Sequence, residues 1–149
     1  MGWSNRGIVS LESVAEGNFE EEETSMPDKI QKIVKGVKYY LSGQSKDFSD
    51  VPLDLSGRSP FAIEVYRTTQ KIPRGQTVAY GNLAQKMGCP KAARAVGQAL
   101  AHNPVPLFVP CHRVISASGG WGGFSMKGGL KIKAVLLALE GVEIPLVGR

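Results

Sequence analysis

Apolar positions recur at helical spacing along several stretches of this chain. After Pro27, which suits a first helical turn because its missing amide would have no partner there, Ile30, Ile33, Val34, Val37 and Leu41 fall at i, i+3, i+4, i+7 and i+11, up to Gly43. This spacing predicts an amphipathic helix. Ser59-Pro60 opens a second one, with the serine hydroxyl as cap and Phe61, Val65 and Tyr66 on the buried side. Past the turn Ile72-Pro73-Arg74-Gly75, Thr77 is expected to cap a helix that carries Tyr80, Leu83, Ala84 and Met87 on one face and stops at Gly88. The turn Gly88-Cys89-Pro90 leads into a helix over 91–101, and two short helices joined this way read as a helix-turn-helix. A last stripe, Ile132, Val135, Leu136 and Leu139, predicts a helix ending at Gly141. Ahead of all these, residues 7–11 read as a short strand and the acidic run 20–23 as a solvated face, while 42–58, rich in Ser, Asp and Gly, reads as a linker.

Charge divides the chain near the end of that linker. Residues 1–54 hold 6 Lys+Arg against 10 Asp+Glu, net −4, whereas residues 55–149 hold 12 against 3, net +9. With 42% hydrophobic residues in 149, the chain can bury one substantial core beside a small accessory domain, so we expect an N-terminal supporting domain over 1–54 and a second domain over 55–149. The basic part is where a polyanion would bind. Cys89 and Cys111 are too few for a disulfide framework or a cysteine-based zinc site, and no Cys or His precedes Cys89, so we expect no metal and a reducing compartment. No apolar run approaches the ~20 residues of a membrane span, and the N-terminus lacks a signal-peptide apolar region. The expectation is a soluble intracellular protein with no membrane partner.

Candidate chemistry centres on Pro110-Cys111-His112-Arg113-Val114, reached through the proline-bearing apolar stretch 103–109. It sets a thiol beside an imidazole where prolines restrict the backbone. Taken alone, the pair also fits a small buried hydrophobe beside a hydrogen-bonded core imidazole. The helix over 91–101 has almost no side-chain bulk, with Ala92, Ala93, Ala95, Gly97, Ala99 and Ala101, which suits either tight helix packing or a narrow groove. The glycine-rich stretch 119–129 lacks the Gly-Lys-Ser/Thr ending of a phosphate-binding P-loop.

Five blocks occur in one order: Thr77-Val78-Ala79-Tyr80, Ala93-Arg94-Ala95-Val96-Gly97, Asn103-Pro104-Val105-Pro106, Pro110-Cys111-His112-Arg113-Val114-Ile115 and Leu136-Leu137-Ala138-Leu139-Glu140-Gly141. Over about residues 55–149 the chain thereby resembles the O6-alkylguanine-DNA alkyltransferases, the methylated-DNA–protein-cysteine methyltransferases. The resemblance implies an α/β (α+β) protein: a small ribonuclease H-like N-terminal domain of short sheet plus helix, then a winged helix-turn-helix-like alkyltransferase domain. It implies a monomer that binds double-stranded DNA through the minor groove, flips O6-methylguanine, and in some measure O4-methylthymine, into a pocket, and moves the alkyl group irreversibly to Cys111. No cofactor is then needed, and the protein belongs in the cytoplasm, or in the nucleus of a eukaryote.

The same resemblance assigns roles. His112 deprotonates Cys111 through a water, Glu140 orients His112, and Asn103 braces the cysteine turn. Arg94 enters the base stack in place of the flipped nucleotide, while Ala93, Ala95 and Gly97 let the recognition helix approach the DNA, with Arg113 counted among the DNA contacts. Tyr80 reaches guanine N3, the carbonyls of Cys111 and Val114 accept from the exocyclic amine, Pro106 lines the alkyl side, Phe124 packs on the base and Ser125 offers its amide to O6. Trp121 belongs to the same wall. Phe124 replaces a tyrosine common in the family, and Trp121 and Met126 are bulky for this loop, which leaves the size of accepted adducts open. Two other readings fit parts of the sequence: a helix-turn-helix regulator with an incidental cysteine, and a cysteine hydrolase built on Cys111, His112 and Glu140.

Overall fold

The chain begins with an antiparallel hairpin of β1 (Gly2–Ser4) and β2 (Gly7–Ser10). The computed structural model describes residues 1–12, 25–126 and 128–143, so the acidic run at 20–23 lies outside the described residues. β2 takes up most of the strand expected over 7–11, and Ile8 also bridges Leu53 in parallel, tying the hairpin to the incoming linker. The partner strand β1 had no signature in the hydrophobic pattern.

α1 (Asp28–Leu41) forms where the helical spacing predicts it, but its inner face differs at the C-terminal end. Tyr40 is buried, whereas Leu41, expected inside, is 51% exposed. The two positions flank the edge of the stripe, and the tyrosine wins because its ring packs on Phe48, 5.6 Å between centroids, while its hydroxyl finds a buried acceptor. α2 (Pro60–Gln70) begins as expected, with Ser59 Oγ accepting from the Ala62 amide at 3.1 Å and Val65 and Tyr66 buried.

Thr77 does not cap a helix. It precedes the two residues of β3 (Val78–Ala79), which are held extended by parallel pairing with β4 (Val114–Ile115), Val78 against Val114 and Ala79 against Ile115. α3 (Tyr80–Lys86) therefore starts two residues later, with Ala79 in the cap position and no side-chain cap. α4 (Ala93–Ala101) starts two residues beyond the expected boundary, because Ala92 closes a turn by donating its amide to the Cys89 carbonyl at 2.9 Å. α3 and α4 pack on each other and on α2, which gives the expected helix pair.

After α4 come a braced turn, a single 3-10 turn over Cys111–Arg113, β4 and finally α5 (Gly129–Leu139). The expected inner face of α5 is rotated: Lys133, Leu136 and Leu137 are buried and Val135 is 54% exposed. The described residues thus form a mixed fold in which helices surround two small two-stranded sheets. The buried cluster is continuous across the proposed boundary at 54/55, with Ile8, Ile30, Tyr40 and Phe48 joining Val65, Val96, Phe108 and Val114. Among the described residues, no helix is long and apolar enough to cross a membrane.

Candidate active site

The turn that delivers Cys111 is held from within by one side chain. Asn103 Nδ2 donates to the Val109 carbonyl at 2.9 Å and its Oδ1 accepts from the Val105 amide at 3.0 Å, so a single amide spans the turn. The same turn contains Leu107 at φ +72°, the only non-glycine residue with positive φ among the described residues. That conformation costs roughly 1–2 kcal/mol, which the surrounding hydrogen bonds and burial must offset.

Cys111 follows with 4% exposure. Burial pushes its thiol above the ordinary value, and the Asn103 amide, the Ser125 hydroxyl and the Lys133 ammonium pull the other way without reversing it. Ser125 Oγ lies 3.9 Å from Sγ. A thiol in this state is protonated at neutral pH and needs a base to become nucleophilic.

His112 is buried beside it, with Nε2 2.8 Å from Glu140 Oε1. A carboxylate only accepts, so Nε2 carries the proton and Nδ1 presents its lone pair. Among the described residues that Nδ1 is buried and has no hydrogen-bond partner. Burial holds the imidazole below its ordinary pKa, Glu140 opposing, which keeps it neutral at pH 7 and able to take a proton.

Glu140 itself lies at the C-cap of α5, where the helix dipole disfavours a carboxylate. Burial also pushes its pKa up, yet the hydrogen bonds from His112, Arg113 and Tyr40 hold it far below the carboxylate range. Arg113 donates through Nε to Oε2 at 2.9 Å and through Nη2 to Oε1 at 2.7 Å, and its Nη1 reaches the Ile72 carbonyl at 2.6 Å. The expectation that Arg113 contacts DNA is therefore corrected. At 5% exposure it is the counter-charge of Glu140, since an unpaired buried carboxylate there would be costly.

Two members of this network escaped the reading of the sequence. Tyr40 donates its hydroxyl to Glu140 Oε1 at 2.7 Å, and only its place beside Leu41 on the edge of the α1 stripe hinted that it could turn inward. Lys133 is fully buried, and its Nζ donates to the carbonyls of Val114 at 2.6 Å and Gly123 at 3.1 Å. Burial pushes its pKa down to about 8, the neighbouring Cys111 opposing. The available signal was that Lys133, Leu136, Leu137 and Glu140 stand at i, i+3, i+4 and i+7, a helical face bounded by two charges.

Tyr80, Ala93, Arg94, Gly97, Cys111 and Phe124 line a cavity of about 410 Å³. Pro106 and Ser125 instead line a second cavity of about 410 Å³, together with Asn103 and Arg58. Arg94 and Ala95 are exposed on α4, Ala95 without lining either cavity. Trp121 is also outside both linings, with an indole Nε1 that is buried and unpartnered among the described residues. Val114 is buried, and its carbonyl already accepts from Lys133. Gly122 is required where it stands: its φ is +65°, and a Cβ there would lie 2.5 Å from the Tyr80 hydroxyl.

Residues 60–142 match the family model for the 6-O-methylguanine DNA methyltransferase, DNA binding domain. The chain belongs to this methyltransferase family. The methylated-DNA–protein-cysteine methyltransferase of Mycolicibacterium paratuberculosis is 47% identical over 117 residues, 78% of this chain and 68% of that protein. A DNA base-flipping protein of Thermus thermophilus is 43% identical over 110 residues, 74% of this chain and 72% of that protein. Mycobacterium tuberculosis OGT, solved in complex with DNA, aligns with a TM-score of 0.68 at 45% identity over 73% of this chain and 64% of that one. This chain thus spans about two thirds of the length of these methyltransferases. Membership favours alkyl transfer over a regulator with an incidental cysteine, and the family's matched segment starts at Pro60, beyond β1, β2 and α1.

Proposed function

We propose that the protein repairs O6-methylguanine in duplex DNA, and O4-methylthymine as a second substrate, by moving the methyl group to its own Cys111, once per molecule. The observation that carries this reading is a buried thiol opening on the cavity of Tyr80, Arg94 and Phe124, next to a neutral imidazole with a free Nδ1. α4 enters the minor groove, its small residues Ala93, Ala95 and Gly97 allowing close approach, and Arg94 fills the gap in the stack left by the flipped base. Phe124 and Trp121 form the wall around the base, and Pro106 lines the alkyl side.

In the reacting complex the Cys111 proton passes through a water to His112 Nδ1, and the imidazolium is stabilised by Glu140, itself anchored by Arg113. Lys133 adds a second buried positive charge beside the imidazolium that favours the thiolate. The sulfur attacks the methyl carbon, an S–C bond forms, the C–O6 bond breaks, and its electron pair leaves on the guanine. The Ser125 backbone amide at O6 and the Tyr80 hydroxyl at N3 stabilise that charge, while the carbonyls of Cys111 and Val114 hold the exocyclic amine. The thioether is stable, and no cofactor takes part because the protein is the acceptor. In this reading a ribonuclease H-like N-terminal part over 1–54 supports a winged helix-turn-helix domain over 55–149, and the protein acts as a monomer where its DNA is, in the cytoplasm or a eukaryotic nucleus.

Incubation with an O6-methylguanine duplex followed by peptide mass spectrometry tests the proposal. One methyl per protein on the Cys111 peptide is expected. Lesion removal beyond one equivalent, or disappearance of the lesion with Cys111 unmodified, would refute it.

A further inference from the structure

We propose that Tyr40 is a positioning residue for the transfer, its hydroxyl holding the Glu140 carboxylate in register with His112. The proposal rests on the assignment of His112 as base and adds to it a part for α1, which lies outside the matched segment 60–142. Glu140 Oε1 receives the Tyr40 hydroxyl at 2.7 Å, His112 Nε2 at 2.8 Å and Arg113 Nη2 at 2.7 Å, with Arg113 Nε at 3.2 Å, and the Tyr40 oxygen lies 3.5 Å from His112 Nε2. Arg113 holds the carboxylate two-pronged, Nε on Oε2 at 2.9 Å and Nη2 on Oε1 at 2.7 Å, and in this pose Oε1 is shared with His112. The tyrosine hydroxyl engages the same oxygen that His112 uses, and so resists a swing of the pair away from the imidazole.

Its own position is fixed. The Tyr40 ring packs against Phe48, and the Arg74 guanidinium lies over it at 5.2 Å. Arg74 in turn donates to the Leu139 carbonyl at 2.5 Å and the Gln44 carbonyl at 3.3 Å, which ties the end of α1 to the end of α5. Burial and the adjacent Glu140 raise the phenol well above its ordinary pKa, so it stays a donor across the working range. The charged and titratable groups around this point are Glu140, His112, Arg113 and Arg74, with Lys133 and Cys111 beyond the imidazole.

The test compares the protein with its Tyr40→Phe variant, which retains the ring, and with Ile30→Val, a buried position of α1 away from the carboxylate, as a packing control. Single-turnover methyl transfer is followed against pH, and side-chain nitrogen resonances of His112 are recorded by NMR. Tyr40→Phe should slow transfer at pH 7 about tenfold, move the acidic limb of the rate profile to lower pH as the imidazolium loses its carboxylate, and shift the Nε2 resonance. Ile30→Val should lower Tm and leave rate and profile unchanged. A wild-type rate, profile and Nε2 resonance in Tyr40→Phe would overturn the proposal, whatever its Tm. Absence of methyl on Cys111 in the wild type would remove the base assignment and Tyr40's part together, an outcome distinct from equal rates in the two proteins.

Discussion

Replacing Glu140 with glutamine keeps the size of the side chain and removes its charge, and the structure sets what that costs. Arg113 would remain buried with no counter-charge in reach, and breaking a buried pair in this way is worth about 3–5 kcal/mol. For a chain of this length each kcal/mol moves the midpoint by roughly 3 °C, so Tm should fall by about 10–15 °C at pH 7 in differential scanning calorimetry. Combining Glu140→Gln with Arg113→Met should recover most of that loss, because the orphaned guanidinium is gone, and the double-mutant cycle reads the coupling directly. Methyl transfer should remain depressed in both variants, on the order of 10²-fold, since His112 lacks its carboxylate in each. A Tm drop under about 3 °C for the single variant, or strictly additive losses in the double, would refute the idea that Arg113 and Glu140 form one buried unit.

Three further expectations follow from the same geometry. Lys133→Met should raise the pH at which Cys111 reacts with iodoacetamide and slow methyl transfer tenfold or more. Its Tm should change by less than about 6 °C, because relief of an ammonium depressed to about 8 is worth about 3 kcal/mol and roughly offsets two carbonyls left unpaired; an unchanged iodoacetamide profile would remove Lys133 from the reaction. Arg94→Ala should slow repair in duplex DNA at least tenfold while sparing reaction with free O6-benzylguanine, and equal losses on the two substrates would contradict its place in the base stack. The urea midpoint should fall as pH drops through ~6.5 and again through ~4.3, because His112 and Glu140 are both held below their ordinary values and the unfolded chain then binds more protons than the folded one. A flat midpoint between pH 7 and 5 would contradict the buried neutral imidazole.

What could be read from the chain was what short-range chemistry decides. Ser59 caps α2 because its hydroxyl reaches an amide three residues on, and Glu140 at the end of a helical stripe announces itself as a carboxylate needing partners. Cys111 and His112 are adjacent and carry their chemistry in their types. Apart from the late start of α4, set by the local Ala92–Cys89 turn, the misplacements involve partners further along the chain. Thr77 loses its capping role because β4, 36 residues on, holds Val78 and Ala79 extended. Lys133 enters the core because the fold brings it two carbonyls, and Val135 turns outward as a result. Arg113 looked like one more base in a basic half, and net charge cannot say which cation meets an acid inside.

The two-rung ladder of β3 and β4 has a consequence for how this protein can vary. β3 passes directly into Tyr80, and β4 leaves directly from the turn bearing Cys111, so the phenol and the sulfur are spaced by backbone hydrogen bonds rather than by any loop. Ahead of Gly122, which is held against Tyr80, the glycine-rich connection after β4 can accordingly gain or lose residues without altering that separation, since loop length costs little once its ends are pinned. Insertions there should retune which adducts fit while leaving the reacting atoms in place.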